Sequence, residues 1–190
     1  MAEGRLRSFI GNHRGLAAVV LTLVVALGIF VVTYFEPHKL FIDETVDEAF
    51  PEPTATGVGA DSEADNDGGG SSTRARAQME LASGPFHGLE HDTSGTAFLL
   101  ELADGRRFLR FEDFETSNGP DLRVYLSEIP AGDDWFVYGE RFVDLGALKG
   151  NVGNQNYEIP DDVDLDKYVS AVVWCRQFSV GFGVAPLEAG

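Results

Sequence analysis

From Leu16 to Phe35 the chain reads Leu-Ala-Ala-Val-Val-Leu-Thr-Leu-Val-Val-Ala-Leu-Gly-Ile-Phe-Val-Val-Thr-Tyr-Phe, without one charge. About 20 such residues match the hydrocarbon thickness of a bilayer. Lipid offers a backbone no hydrogen-bond partners, so a single span must pair its own N–H and C=O groups as a helix. Arg5, Arg7, His13 and Arg14 precede the run, while Glu36, Asp43, Glu44, Asp47 and Glu48 follow it. The basic excess keeps the N-terminus in the cytoplasm and exports the rest, with Tyr34 and Phe35 at the outer headgroup level. A cleaved signal peptide has a shorter apolar region, roughly 7–15 residues, and ends at a small-x-small site. Thr33-Tyr-Phe-Glu-Pro-His offers no such site, and no cysteine follows to carry a lipid. The expectation is a single-pass cell-membrane protein with residues 1–15 cytoplasmic, 16–35 a signal-anchor helix and the lipid bilayer as its first partner.

Residues 36–82 read as an extracytoplasmic acidic linker rich in Gly, Ser and Pro. Asp61-Ser-Glu-Ala-Asp-Asn-Asp-Gly-Gly-Gly-Ser-Ser72 has almost nothing to bury, and a chain that cannot bury apolar surface stays solvated. Roughly 30 such residues span on the order of 30 Å, which would hold a domain off the membrane. Asp65-Asn-Asp67-Gly68 begins like a calcium loop, yet Arg74 stands where that loop needs a bidentate carboxylate. The net charge of −17 repels nucleic acid.

Residues 83–190 are the segment able to build a core. Short alternating runs lie between turn signals such as Ala103-Asp-Gly105, Ser117-Asn-Gly-Pro120 and Lys149-Gly-Asn-Val-Gly-Asn154. This pattern predicts strands at Gly95–Leu102, Arg106–Phe111, Leu122–Leu126, Trp135–Tyr138, Phe142–Leu145, Asn156–Ile159, Val169–Trp174 and Phe178–Val184. The fold class is all-β, an antiparallel sandwich of Greek-key or jelly-roll type.

Cys175 is the only cysteine. In an oxidising compartment a lone thiol is buried, cross-linked to another molecule, capped, or used as a ligand or redox group. Along a strand, Val169, Ala171, Val173 and Cys175 share one face, while Ser170, Val172, Trp174 and Arg176 share the other. A small apolar face favours a buried, inert thiol that Arg176 does not reach.

Three stretches, Asp113–Ser127, Asp144–Pro160 and Val172–Ala185, resemble the DM-thirteen domain, and the likeness extends over Gly84–Leu187. The resemblance implies a β-sandwich with a role in cell-surface electron transfer. It also implies that Cys175 is a bare redox thiol or the ligand of a prosthetic group such as haem. With no cytochrome-like second domain in this sequence, the redox partner is expected to be a separate protein.

The ligand inventory is short. The exported domain, residues 83–190, holds His87 and His91 as its imidazoles, with Met79 before the core, and there is no Cys-x-x-Cys-His run for covalent haem. A blue-copper site would need both histidines with Cys175 in an unusual arrangement. Non-covalent haem on Cys175 thiolate or His91 fits the residue types better, although His91 also reads as a turn residue bonded to backbone. No metal site is assigned. Asp162, Asp164 and Asp166 read as a solvated acidic loop rather than a calcium site, and the Lys149–Asn154 loop as turn chemistry. No hydrolase or transferase motif is present, so enzymatic activity, if any, is redox chemistry.

Two functions remain open. One is a membrane-anchored redox or electron-transfer domain centred on Cys175. The other is a cell-surface binding module in which Ser117–Asp121 and Lys149–Asn154 meet a protein or glycan and Cys175 only fills core. A disulfide through Cys175 to a second chain is a third use of the thiol.

Overall fold

The computed structural model describes residues 14–35, 43–53 and 78–190. The chain divides into two units, Met1–Phe41 and Ile42–Gly190. In the first, α1 spans Arg14–Phe35, and Gly15–Tyr34 is long and apolar enough to cross a membrane. Its two threonines hide their hydroxyls within the helix. Thr22 Oγ1 donates to the Ala18 carbonyl at 3.0 Å and Thr33 Oγ1 to that of Ile29 at 2.8 Å, the back-bonding that lets a hydroxyl sit on an apolar helix.

The second unit contains β1 (Thr45–Asp47), β2 (Gln78–Pro85), β3 (His87–Gly88), β4 (Thr93–Leu102), β5 (Arg107–Thr116), β6 (Leu122–Ser127), β7 (Phe142–Ala147), β8 (Val152–Ile159), β9 (Ser170–Cys175) and β10 (Val180–Pro186). One sheet runs β1-β8-β5-β4-β2 and the other β3-β10-β9-β6-β7. Period-2 alternation turns Ala97, Leu99, Leu109, Phe111 and Tyr157 of the first sheet inward. They meet Val124, Leu126, Ala171, Val173 and Cys175 of the second in one buried cluster. A bulge in β5 between Phe111 and Phe114 breaks the alternation, so both rings face inward and pack against Phe86 at 4.8 and 5.1 Å.

The second sheet is covered on its other side too. Tyr125, Val172, Trp174 and Val184 form a second buried cluster with Tyr138. Tyr138 comes from the connection between β6 and β7 and ties it down: its hydroxyl donates to carbonyls of that connection and accepts the Gly132 N–H at 2.8 Å.

Four expectations differ from the structure. Trp135–Tyr138 is not a strand. The Asp134 carboxylate accepts the Phe136 N–H at 3.1 Å, which turns the chain locally, and a 3₁₀ turn follows at Val137–Gly139. Three strands, β1, β2 and β3, precede the first one expected; in β2, Gln-Met-Glu-Leu-Ala-Ser-Gly-Pro lacks the β-branched residues that mark a strand. The interval 36–82 is not all linker, since residues 43–53 and 78–82 belong to the sandwich unit; the rest of it lies outside the described residues. Finally, β1 pairs with β8 in parallel, so the first sheet is mixed rather than antiparallel.

Candidate functional site

Cys175 ends β9, where Leu122 of β6 and Val180 of β10 pair with it on either side. Every residue of β9 is buried. The expected alternation places Ala171, Val173 and Cys175 in the core between the sheets, and Val172 and Trp174 in the cluster behind. The sulfur is fully buried. Burial pushes the thiol above its ordinary pKa; the backbone N–H groups of Phe178, Asp121 and Gln177 pull the other way, and the Asp121 charge pushes it up again. Arg176 turns out to solvent and donates to the Asp121 carboxylate at 2.7 Å. It therefore does not stabilise a thiolate.

The other residue singled out lies at the same end of the molecule. The His91 ring is half-buried and sits 3.9 Å, centroid to centroid, from Phe182. Phe182 belongs to the same buried cluster as Cys175. Both Phe182 and Leu122, the pairing partner of Cys175, close on the Cα of Gly119, where a methyl group would lie 3.0 Å from each. An apolar ring that touches the half-buried imidazole thus belongs to the same buried cluster as the sulfur. The His91 carbonyl accepts a 3.3 Å hydrogen bond from Thr93 Oγ1.

His87 lies opposite Val184 on β3. Among the described residues no three of His, Cys, Asp or Glu come together to hold a metal ion, so His87, His91 and Cys175 do not form a copper site. Asp162, Asp164 and Asp166 are all exposed, and Asp164 pairs with Lys167 at 3.3 Å. A haem does not fit Cys175 either. Iron needs a sulfur at an open face, and this sulfur is sealed in the core, where burial also pushes the thiol pKa up. A groove of about 580 Å³, lined by Phe50, Met79, Phe98 and Leu100 among others, lies on the first sheet, away from Cys175.

Sequence reasoning missed two arrangements. Behind β9, Phe142, Tyr125 and Trp174 stack in succession, with centroids 3.9 and 6.4 Å apart. Their spacing on three separate strands leaves no local signal. The Lys149–Asn154 loop, read as turn chemistry and as a display loop, instead holds another part of the chain, residues 43–48. The three asparagines at 151, 154 and 156 were the available signal.

A family model described as "Electron transfer DM13" matches residues 85–187. No curated protein and no solved structure matches the chain.

Proposed function

The chain belongs to the electron transfer DM13 family, and from that membership we propose that it is a membrane-anchored, extracytoplasmic electron-transfer domain. In this reading α1 is an uncleaved anchor with its N-terminus in the cytoplasm, and the redox partner is a separate protein. The observation that carries the site is the ring contact between half-exposed His91 and Phe182, which leads into the cluster containing Cys175. The sealed thiol does not exchange disulfides with dissolved reagents, because exchange requires a reachable thiolate. Sulfur and rings serve instead as a packed path through which an electron passes from the reduced partner protein, which is thereby oxidised, to an external acceptor, which is reduced. The electron does not reside on Cys175, so no proton has to leave the core.

The test uses membranes carrying the full chain. An impermeant thiol reagent should label Cys175 only after denaturation. An impermeant acceptor such as ferricyanide should be reduced faster when the chain is present, and His91→Leu should remove most of that gain. Equal rates with and without the chain would refute electron transfer. A visible absorption band in chain purified with haem supplied would overturn the sealed-core reading.

A second reading is supported by the surface. Phe136 and Phe178 are 63 and 51% exposed and Trp135 36%, more aromatic surface than burial of Cys175 requires, and aromatics of this kind anchor interfaces. In that case the domain is a cell-surface binding module with Cys175 as core. Protein capture lost in Phe136→Ser but unchanged in Cys175→Ala would favour it.

A further inference from the structure

Among the described strands, β1 is the one that pairs in parallel, and it lies outside the matched domain, which begins at residue 85. Without β1, the β8 edge would present unpaired N–H and C=O groups. With it, Val152 N–H donates to the Glu44 carbonyl at 3.3 Å and Glu48 N–H to that of Asn154 at 2.9 Å. Side chains then read the strand residue by residue. Asn151 accepts the Glu44 N–H at 2.7 Å and donates to the Asp43 carboxylate at 2.9 Å. Asn154 donates to Asp47 at 2.8 Å. Glu48 takes the Lys149 ammonium at 2.8 Å and the Asn156 N–H at 2.7 Å.

Past Glu48 the segment covers Arg110, whose side chain is 3% exposed. Its guanidinium donates to the Glu48 and Ala49 carbonyls at 3.1 and 3.3 Å, and the Phe50 ring lies 4.0 Å over it. Gly153 has φ +104°, and a side chain there would overlap the Val46 carbonyl; one at Gly150 would overlap that of Glu44. The loop meets an extended segment through the side chains of Asp43, Asp47 and Glu48 and the backbone of Glu44, Val46 and Glu48. Main-chain pairing with alternate side-chain contacts is how sheet edges recognise peptides.

We propose that the β8 edge, with Lys149, Asn151, Asn154, Asn156 and Arg110, is a peptide-docking site whose resident ligand is the chain's own Asp43–Phe50, bound as a separable strand. This contact, rather than the 54–77 segment, then ties the domain to α1. In sequence, only residues 36–42 separate α1 from the docked segment, while 54–77 lead from it to β2. With the strand seated, 54–77 closes a loop. With the strand released, the chain leading from α1 first meets the domain at β2.

The test cuts that loop. A protease site placed within 54–77 of the full chain is cleaved in vesicles, which are then sedimented. The domain should stay with the vesicles and be released by excess synthetic peptide 43–53. With Lys149→Glu, retention should fall about tenfold, the size of effect expected from losing one charged pair and gaining a repulsive one. Release of the wild-type domain on cutting alone would overturn the proposal. So would retention that neither the peptide nor Lys149→Glu alters, since the domain would then be held by lipid. Retention that disappears at one chain per vesicle would overturn it too, by assigning the strand to a second copy.

Discussion

Cys175 belongs to a buried cluster whose side chains, Ala171, Val173, Leu122 and Phe182 among them, are apolar, whereas the strand docked on β8 is surrounded by Lys149, three asparagines and Arg110. The first region is distinguished by a residue that occurs once in the sequence, the second by polar groups that have to be satisfied. A unique residue invites a functional reading, yet its surroundings give it nothing to act on in solution. Buried polar groups are costly unless paired, so the arrangement that satisfies Arg110 and Asn151 declares what those residues are for.

The contrast is sharpest for a charge placed in each region. Cys175→Asp puts a carboxylate into the dry core and should cost about 3–5 kcal/mol, read by denaturant unfolding of the full chain; a near-neutral result would show that this end of the sandwich is wet. Arg110→Ala should come next, at about 2–3 kcal/mol, because Glu112, Asn156 and two carbonyls lose a charged donor. Unlike the cysteine variant, it should also raise hydrogen exchange at residues 43–50. Cys175→Ala removes one sulfur and should cost about 1 kcal/mol with the docked strand undisturbed. If it loosened that strand, the two regions would be coupled.

Acid should give the smallest effect. Burial raises the Glu48 pKa, but the hydrogen bonds from Lys149 and from the Asn156 N–H, together with the Lys149 and Arg110 charges, hold it below the usual glutamate range. A carboxylate lowered on folding contributes stability above its unfolded pKa and loses it as pH falls through the folded value. Strand docking should therefore weaken by about 0.5–1 kcal/mol below the ordinary glutamate range. Glu48→Gln should flatten that dependence, and an unchanged acid profile would remove Glu48 from the recognition.

Much of this fold was legible because it is written in local rules. Two-residue alternation correctly separated Val173 and Cys175 from Val172 and Trp174, and turn residues marked most strand ends. What escaped depends on partners far away in sequence. Thr45-Val-Asp47 has no hydrophobic pattern and becomes a strand only because Val152–Asn154 receives it. Trp135–Tyr138 has the composition of a strand, but Tyr138 is recruited to the sheet behind it. The contact between His91 and Phe182 joins residues that no spacing rule connects. For the docking loop, glycine and asparagine signal a turn and a binding surface equally well, and the partner was hidden in a segment that reads as linker.

The parallel pairing of β1 also sets an order of events. Thr45 pairs with Val152, so β1, first in sequence among the described strands, has no edge to join until β8 exists. Pairings between residues so distant in sequence form slowly, because the intervening chain must close first. The segment that follows α1 therefore waits through synthesis of nearly the whole domain, and the β1–β8 pairing is among the last to close.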